Sequence, residues 1–351
     1  MTQKKVALVT GATGVTGNNL IRHLSNIGGW EVVAVSRRKP ELGRGVRHIP
    51  VNLLDRGDCA AALGGLAEIT HVFHCAYVEA PTRDAMVAPN LAMLSNTVET
   101  VESSARGLEH VLIMQGTKYY GSHLGPFKTP AKEDDPRHAP PNFYYDLQDY
   151  ISQRSAGKSW RWSAPRPHAV IGFAVGNPMN LSTVIAVYAT LCKELGMPLA
   201  FPGTPGSYNA LYQCSDAGLL ARAMTWMATT PQCVNQAFNI INGDLIRWKN
   251  VWPAFARFFE MEAAPPSSMN LASSMVDKGP LWEKIVASHG LKPYAYSDIV
   301  SWAYGDIVFS TGHDIISDTV KARHFGFHEV ISTEKMFLQV FESYRKNRII
   351  P

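Results

Sequence analysis

Val6-Ala7-Leu8-Val9-Thr10-Gly11-Ala12-Thr13-Gly14-Val15-Thr16-Gly17-Asn18-Asn19-Leu20 decides the fold of this 351-residue chain. A β-rich apolar run empties into a glycine loop. The loop opens an amphipathic segment with Leu20, Ile21 and Leu24 at helical spacing. Strand, turn and helix follow in that order. Gly11 permits the tight turn, Gly14 lets a pyrophosphate approach the backbone, and Gly17 lets the helix pack close to the strand. The N–H groups and dipole at the helix start favour a phosphate. The stretch therefore predicts a dinucleotide site.

Strand-like and helix-like runs alternate beyond it. Glu31–Val35, Val46–Val51, His71–His74, His110–Met114 and Arg161–Arg166 read as strands. Asp58–Leu66, Pro89–Gly107, Tyr144–Ala156 and Asn180–Gly196 read as helices. This alternation predicts right-handed crossovers and a doubly wound parallel sheet of the α/β class, with the ligand beyond the C-terminal strand ends. That rule gathers Gly11, Arg37, Ala76 and the loop Gly116–Tyr120 on one rim. From Leu199 the alternation fades. Gln236–Ile241, Trp252–Phe259, Pro280–His289 and Lys335–Arg345 read as a strand and helices of a smaller, mostly helical lobe. The expected division is a cofactor domain over 1–175, with segments around 210–245 returning to it, and a substrate lobe over 176–351, interwoven with the first across a cleft.

Ser36, Arg37 and Arg38 close the second strand, where NAD-preferring sites place a carboxylate for the ribose hydroxyls. Guanidinium groups pair with a 2′-phosphate instead, so NADPH is the expected cofactor. Asn52 and Leu53, after the third strand, fall where adenine is expected.

The formal net charge of +4 is not gathered into a basic tract, which argues against nucleic-acid binding. The five cysteines are scattered without metal spacing, and no metal site is expected. No signal-peptide pattern opens the sequence and no apolar run is long enough to span a bilayer. A cytoplasmic protein is the expectation, and a homodimer is a candidate state. His71 and His74 read as packed strand residues, and Asp216 as a helix cap.

A nicotinamide enzyme that reduces a polarised substrate needs a donor beside the developing oxyanion. In short-chain dehydrogenases that donor is the Tyr of a Tyr-x-x-x-Lys helix. Here the fourth residue after Tyr144 is Gln148, after Tyr145 it is Asp149, and after Tyr150 it is Arg154. Either the chain is not a reductase or the cation comes from elsewhere. Lys118, in Gln115-Gly116-Thr117-Lys118-Tyr119-Tyr120-Gly121, stands on the right rim, and Asn142-Phe143-Tyr144-Tyr145 can point a phenol at the same place.

At these residues the sequence resembles the progesterone 5β-reductase/iridoid synthase-like (PRISE) family, an atypical branch of the extended short-chain reductases. The likeness runs from the glycine loop through Ser36-Arg37-Arg38, Thr70-His71-Val72-Phe73, Lys118, Gly125-Pro126-Phe127 and Asn142-Phe143-Tyr144-Tyr145. It continues through Arg166-Pro167, Ile171-Gly172-Phe173, Met179-Asn180-Leu181, Cys214-Ser215-Asp216, Ala237-Phe238-Asn239 and Asn242-Gly243-Asp244 to Ile349-Ile350-Pro351. The resemblance implies NADPH-dependent reduction of the C=C bond of an enone or enal. Tyr144 would stabilise the enolate, and Lys118 would contact the Tyr and the ribose. The cofactor set is then Gly11, Thr13, Gly14, Val15, Thr16, Gly17, Ser36, Arg37, Arg38, Asn52, Leu53, Ala76, Lys118, Tyr144 and Val170. Tyr77, Phe127, Met179 and Phe337 are expected to line a pocket for a small apolar carbonyl compound. The alternatives are a carbonyl reductase giving an alcohol and a non-catalytic NADP-binding redox sensor. In one departure, Tyr119 to Leu124 intervene between Lys118 and Gly125-Pro126-Phe127, which implies a longer loop at the substrate mouth than in the plant enzymes.

Overall fold

The computed structural model describes residues 4–40, 43, 45–177 and 179–351. Its frame is a seven-stranded sheet. β1 (Lys5–Thr10), α1 (Val15–Ile27), β2 (Trp30–Val35), β3 (Val46–Ile49) and α2 (Arg56–Leu63) form the first half. β4 (His71–His74), α3 (Val87–Ser104), β5 (His110–Ile113), α4 (Phe143–Ser155) and β6 (Arg161–Arg166) follow. The edge strand Gln236–Asn239 completes the order edge-β6-β5-β4-β1-β2-β3, and every pairing is parallel. Sequence reading assigned that edge segment to the helical lobe as well as to the returning stretch. It lies in the main sheet, held by Asn239 register with Arg166.

Parallel strands are covered on both faces, so they read as apolar runs. On one face Ala7, Val9, Phe73 and Leu112 pack with Leu20, Ile21 and Leu24 of α1 and with Leu220, Met224 and Met227 of the helix Ala217–Thr229. On the other, Val6, Leu8, Val33 and Ile113 pack with Leu94 and Val98 of α3 and Leu147 and Ile151 of α4. Asp216 accepts a hydrogen bond from Leu219 N at 2.7 Å, which makes it the cap of Ala217–Thr229.

β7 (Val170–Ile171) pairs with Ser215–Asp216, away from the main sheet. The chain then enters α5 (Leu181–Glu194), buried at every position from Leu181 to Cys192. A helix apolar all round belongs inside a core. Here the core is aromatic: Trp248, Trp252, Phe255, Phe337, Phe341 and Tyr344 surround it. Asn180 caps α5 through Ser182 N and Thr183 N. Its Nδ2 reaches Ala174 O at 2.8 Å and Tyr344 Oη at 3.0 Å. One side chain thereby ties the segment beside α1 to the C-terminal helix Thr333–Lys346. Among the described residues no helix is long and apolar enough to cross a membrane.

Candidate active site

β1, β4 and β5 end level with one another, Thr10 opposite His74 and His74 opposite Ile113. Thr10 Oγ1 accepts from Cys75 N and Ala76 N, both at 3.1 Å, which ties the turns leaving β1 and β4 together. Gly11 has φ of 67°, and a Cβ there would sit 2.6 Å from Cys75 O. A Cβ on Gly17 would sit 2.4 Å from Gly11 O. Gly11 is therefore required both by its left-handed backbone and by contact, and Gly17 by backbone contact. Gly14 caps α1 with no side-chain hydrogen bond to the first turn, which leaves helix N–H groups for an anion. Thr13, Gly14 and Thr16 are partly exposed at the loop surface, whereas Val15 is buried against Ala174, Ala217 and Val170. Asn177 Nδ2 lies 3.5 Å from the position a Gly14 Cβ would take, a neighbour the sequence reading did not name. A pyrophosphate fits this glycine-shaped cradle.

At the end of β2, Ser36 Oγ donates to Arg38 O at 2.6 Å and so shapes the turn. Arg37 and Arg38 are exposed and make no ion pair or hydrogen bond through their side chains among the described residues. Asn52 is exposed, and its Oδ1 accepts from Leu54 N at 3.3 Å. Leu53 is buried, and its carbonyl accepts from Asn96 Nδ2 at 2.9 Å.

Lys118 lies on the single turn Thr117–Tyr120 that follows β5. Asn142 joins this turn to α4. Its Oδ1 accepts from Tyr144 N at 3.1 Å, as a helix cap, while its Nδ2 donates to Lys118 O at 2.8 Å. This amide ties the two segments together, alongside Tyr145 Oη, which donates to Tyr119 O at 2.6 Å. Tyr144 Oη then lies 3.2 Å from the position a Gly116 Cβ would take, and Pro167 O lies 3.3 Å from it. Any other residue at 116 would press on the phenol and on a backbone carbonyl. Tyr144 Oη and Lys118 Nζ have no hydrogen-bond partner among the described residues. Burial, and secondarily the carboxylate of Glu79, hold the Tyr144 phenol well above its usual range.

The missing Tyr-x-x-x-Lys lysine has a physical counterpart. Gln148 Oε1 accepts from Gln115 Nε2 at 3.0 Å and from Arg166 Nη2 at 3.2 Å. Arg166 is fully buried, donates to Gln115 Oε1 at 2.8 Å and Tyr120 Oη at 3.0 Å, and stacks 3.4 Å over the Tyr119 ring. A lysine at 148 would face that guanidinium. No motif signals this network in advance, since its members come from three separate segments. Tyr119 and Tyr120, expected in a longer mouth loop, are anchored in this cluster, and only His123 and Leu124 of that stretch are exposed.

Tyr77 packs on Phe143 with ring centroids 5.6 Å apart, and its hydroxyl donates to the Glu79 carboxylate. Phe127 packs against the Tyr119–Tyr145 cluster that Tyr144 also borders. Met179 is partly exposed next to the Asn177 turn. Phe337 is elsewhere: it is fully buried in the helical core, 5.1 Å from Phe255 and 6.1 Å from Trp248 between ring centroids. It packs the lobe rather than lining an open pocket. Glu79, Asn177 and His168 are the polar neighbours that sequence reasoning passed over. Among the described residues there is no group of three or more His, Cys, Asp or Glu side chains that could hold a metal.

A family model described as a PRISE-like Rossmann-fold domain matches residues 57–351. The chain is 32% identical to the (S)-8-oxocitronellyl enol synthase of Camptotheca acuminata over 99% of its own length and 94% of the relative's. It is 33% identical to the enzyme of that name from Nepeta racemosa and 32% identical to that from Catharanthus roseus, again over 99% of this chain. Among solved structures it resembles UDP-glucose 4-epimerase of Thermotoga maritima with UDP-glucose, TM-score 0.71, at 17% identity and covering 97% and 99% of the two chains. It also resembles the Thermus thermophilus UDP-glucose 4-epimerase complex with NAD, TM-score 0.64, at 16% identity and covering 97% and 99%. At that identity the structures speak for the fold alone.

Proposed function

This chain belongs to the PRISE-like Rossmann-fold family, and from that membership we propose that it reduces the C=C bond of α,β-unsaturated carbonyl compounds with NADPH. Its class is that of an NAD(P)-dependent oxidoreductase. The observation that carries the finer reading is the Asn142 amide, which holds the Tyr144 helix and the Lys118 turn together over Gly116.

Bound NADPH supplies a hydride for the β-carbon of the substrate. What this chain adds acts at the carbonyl end. As the β-carbon is reduced, electron density moves through the α-carbon onto the carbonyl oxygen. Tyr144 Oη donates a hydrogen bond to that oxygen, and a donor so placed lowers the barrier by about 3–4 kcal/mol. Burial keeps the proton on the phenol, so Tyr144 stabilises the enolate and a water protonates the α-carbon. The product is the saturated carbonyl compound. Lys118, whose ammonium has no partner among the described residues, would hold the ribose and orient the phenol. The glycine cradle takes the pyrophosphate, and Arg37 and Arg38 take the 2′-phosphate. Residues 1–175 thus hold the cofactor, and Tyr77, Phe127 and Met179 border a small apolar substrate. The five free cysteines, four of them buried, suit a cytoplasmic setting.

NADPH oxidation with a cyclic enone tests the reading. The expected product is the saturated ketone, with activity lost in Tyr144→Phe and Lys118→Met. An allylic alcohol would make the chain a carbonyl reductase. Tight NADPH binding with no oxidation by any enone would make it a redox sensor. Full rate in both variants would remove the assigned roles.

A further inference from the structure

The Asn142 amide that joins the Lys118 turn to α4 has a third partner. Its Nδ2 carries two hydrogens. One goes to Lys118 O at 2.8 Å, and the other faces His138 Nε2 at 3.0 Å. His138 Nδ1 lies 2.7 Å from Ala139 O, which can only accept, so the imidazole proton sits on Nδ1. Nε2 is then an acceptor. The buried amide is satisfied throughout, its Oδ1 by Tyr144 N and its Nδ2 by Lys118 O and His138.

The partly buried ring has little room to leave this position. His138 N donates to Tyr145 Oη at 3.1 Å, the same hydroxyl that donates to Tyr119 O. The imidazole packs on the Tyr145 ring with centroids 5.4 Å apart. Gly121, with φ of 83°, also lies against it, and a Cβ there would sit 3.1 Å from the ring carbon Cδ2. The titratable and charged side chains around the ring are His123, with centroids 5.8 Å away, Tyr145 of α4, Lys118 of the turn, and the preceding Arg137, which pairs with Asp149.

Protonation reverses the role of Nε2. An imidazolium has a hydrogen on both nitrogens, so Nε2–H would face the amide N–H across 3.0 Å, donor against donor. An acceptor within reach is Lys118 O, 3.4 Å away. That carbonyl already takes Asn142 Nδ2 at 2.8 Å and Gly121 N at 3.1 Å, which fills its two lone pairs. A charged donor makes the stronger hydrogen bond, so the imidazolium displaces the amide and cuts this tie between turn and helix.

We propose that His138 is a positioning residue, which as a neutral imidazole holds the Asn142 amide on Lys118 O and on protonation takes that carbonyl from it. The role rests on the enone-reductase reading, in which Lys118 and Tyr144 converge, and adds an acid-sensitive step to it.

The test follows kcat for NADPH and a cyclic enone from neutral pH downward in the wild type, His138→Gln and His138→Leu. Wild-type kcat falls about three- to tenfold on acidification, the worth of one hydrogen bond, with little change in the KM for the enone. Glutamine offers an acceptor oxygen that takes no proton, so His138→Gln restores the neutral-pH rate to within about twofold and loses the acid step. His138→Leu is about three- to tenfold slow at every pH. An acid step that persists in His138→Gln, or a full neutral-pH rate in His138→Leu, overturns the role. Fluorescence titration with NADPH separates this from turnover, because the Lys118 turn would hold the ribose. Affinity should fall about three- to tenfold on acidification in the wild type beyond any fall in His138→Gln. The 2′-phosphate titrates alike in both, so equal pH dependence overturns the proposal. If no enone is reduced while this difference persists, the reductase reading fails and the positioning role stands.

Discussion

In the reaction proposed above, Tyr144 serves as a donor only while its proton stays on the oxygen, and burial favours that. Tyr144→Phe keeps the ring and removes the hydroxyl. Its kcat on a cyclic enone should fall about 10²- to 10³-fold, the usual cost of losing one oxyanion donor. Lys118→Met should lower kcat and raise the KM for NADPH together, which steady-state kinetics resolves. Arg37 and Arg38, exposed and without side-chain partners among the described residues, allow the proposed NADPH preference to be tested apart from the chemistry. The double change Arg37→Ser with Arg38→Ser should weaken NADPH binding by about 1.5–3 kcal/mol per lost charged hydrogen bond and leave NADH nearly unaffected, as titration of the two cofactors would show. Both candidate groups were legible in the sequence because each sits in a local motif. Arg166 was not: nothing in Arg166-Pro167 tells that its guanidinium is buried among Gln115, Tyr120 and Gln148.

At the scale of elements, the strand-loop-helix from Lys5 to Ile27 could be read directly, since glycine spacing and helical periodicity are properties of neighbours in sequence. The edge strand Gln236–Asn239 is too short to announce its sheet, and only its parallel pairing with β6 assigns it. The Asn142 amide shows the same limit. Its position before α4 marks it as a cap, while its bond to Lys118 O spans 24 residues and has no local signal. Asn142→Asp keeps the cap oxygen but loses the donor. Asn142→Ala loses both, and should cost about 1 kcal/mol of stability from the cap alone. Denaturant unfolding should find Asn142→Asp nearer to the wild type in stability than Asn142→Ala, with both slow in enone reduction. Equal stability of the two variants would remove the cap, and a wild-type rate in Asn142→Asp would remove the bridge. Gly17→Val tests the cradle, because its side chain meets Gly11 O. NADPH binding should be lost, with circular dichroism reporting whether the fold persists.

Across the whole molecule, the sheet interior contains three buried histidines, His71, His74 and His110. Desolvation lowers His71 and His74 to about 4 and His110 to about 3, with smaller contributions from Lys5 at His71 and from His71 at His110. Each is neutral in the fold but takes a proton in the unfolded chain below about 6.5. Stability from these groups is therefore complete above that value and lost as pH falls toward 4. Each contributes a slope of up to about 1.4 kcal/mol per pH unit. His110→Gln should flatten the acid limb of a Tm-against-pH curve, and an unchanged limb would contradict this. The sheet and the helical lobe meet where Asn180 ties the stretch beside α1 to Tyr344, so cofactor cradle and aromatic core are one packed unit.

The reaction itself is tested most directly by following the transferred atom. NADPH carrying deuterium at the reactive nicotinamide carbon, incubated with enzyme and a cyclic enone, should give a saturated ketone labelled at the β-carbon. Deuterium on the carbinol carbon of an alcohol, or no transfer at all from a protein that binds NADPH, would contradict it.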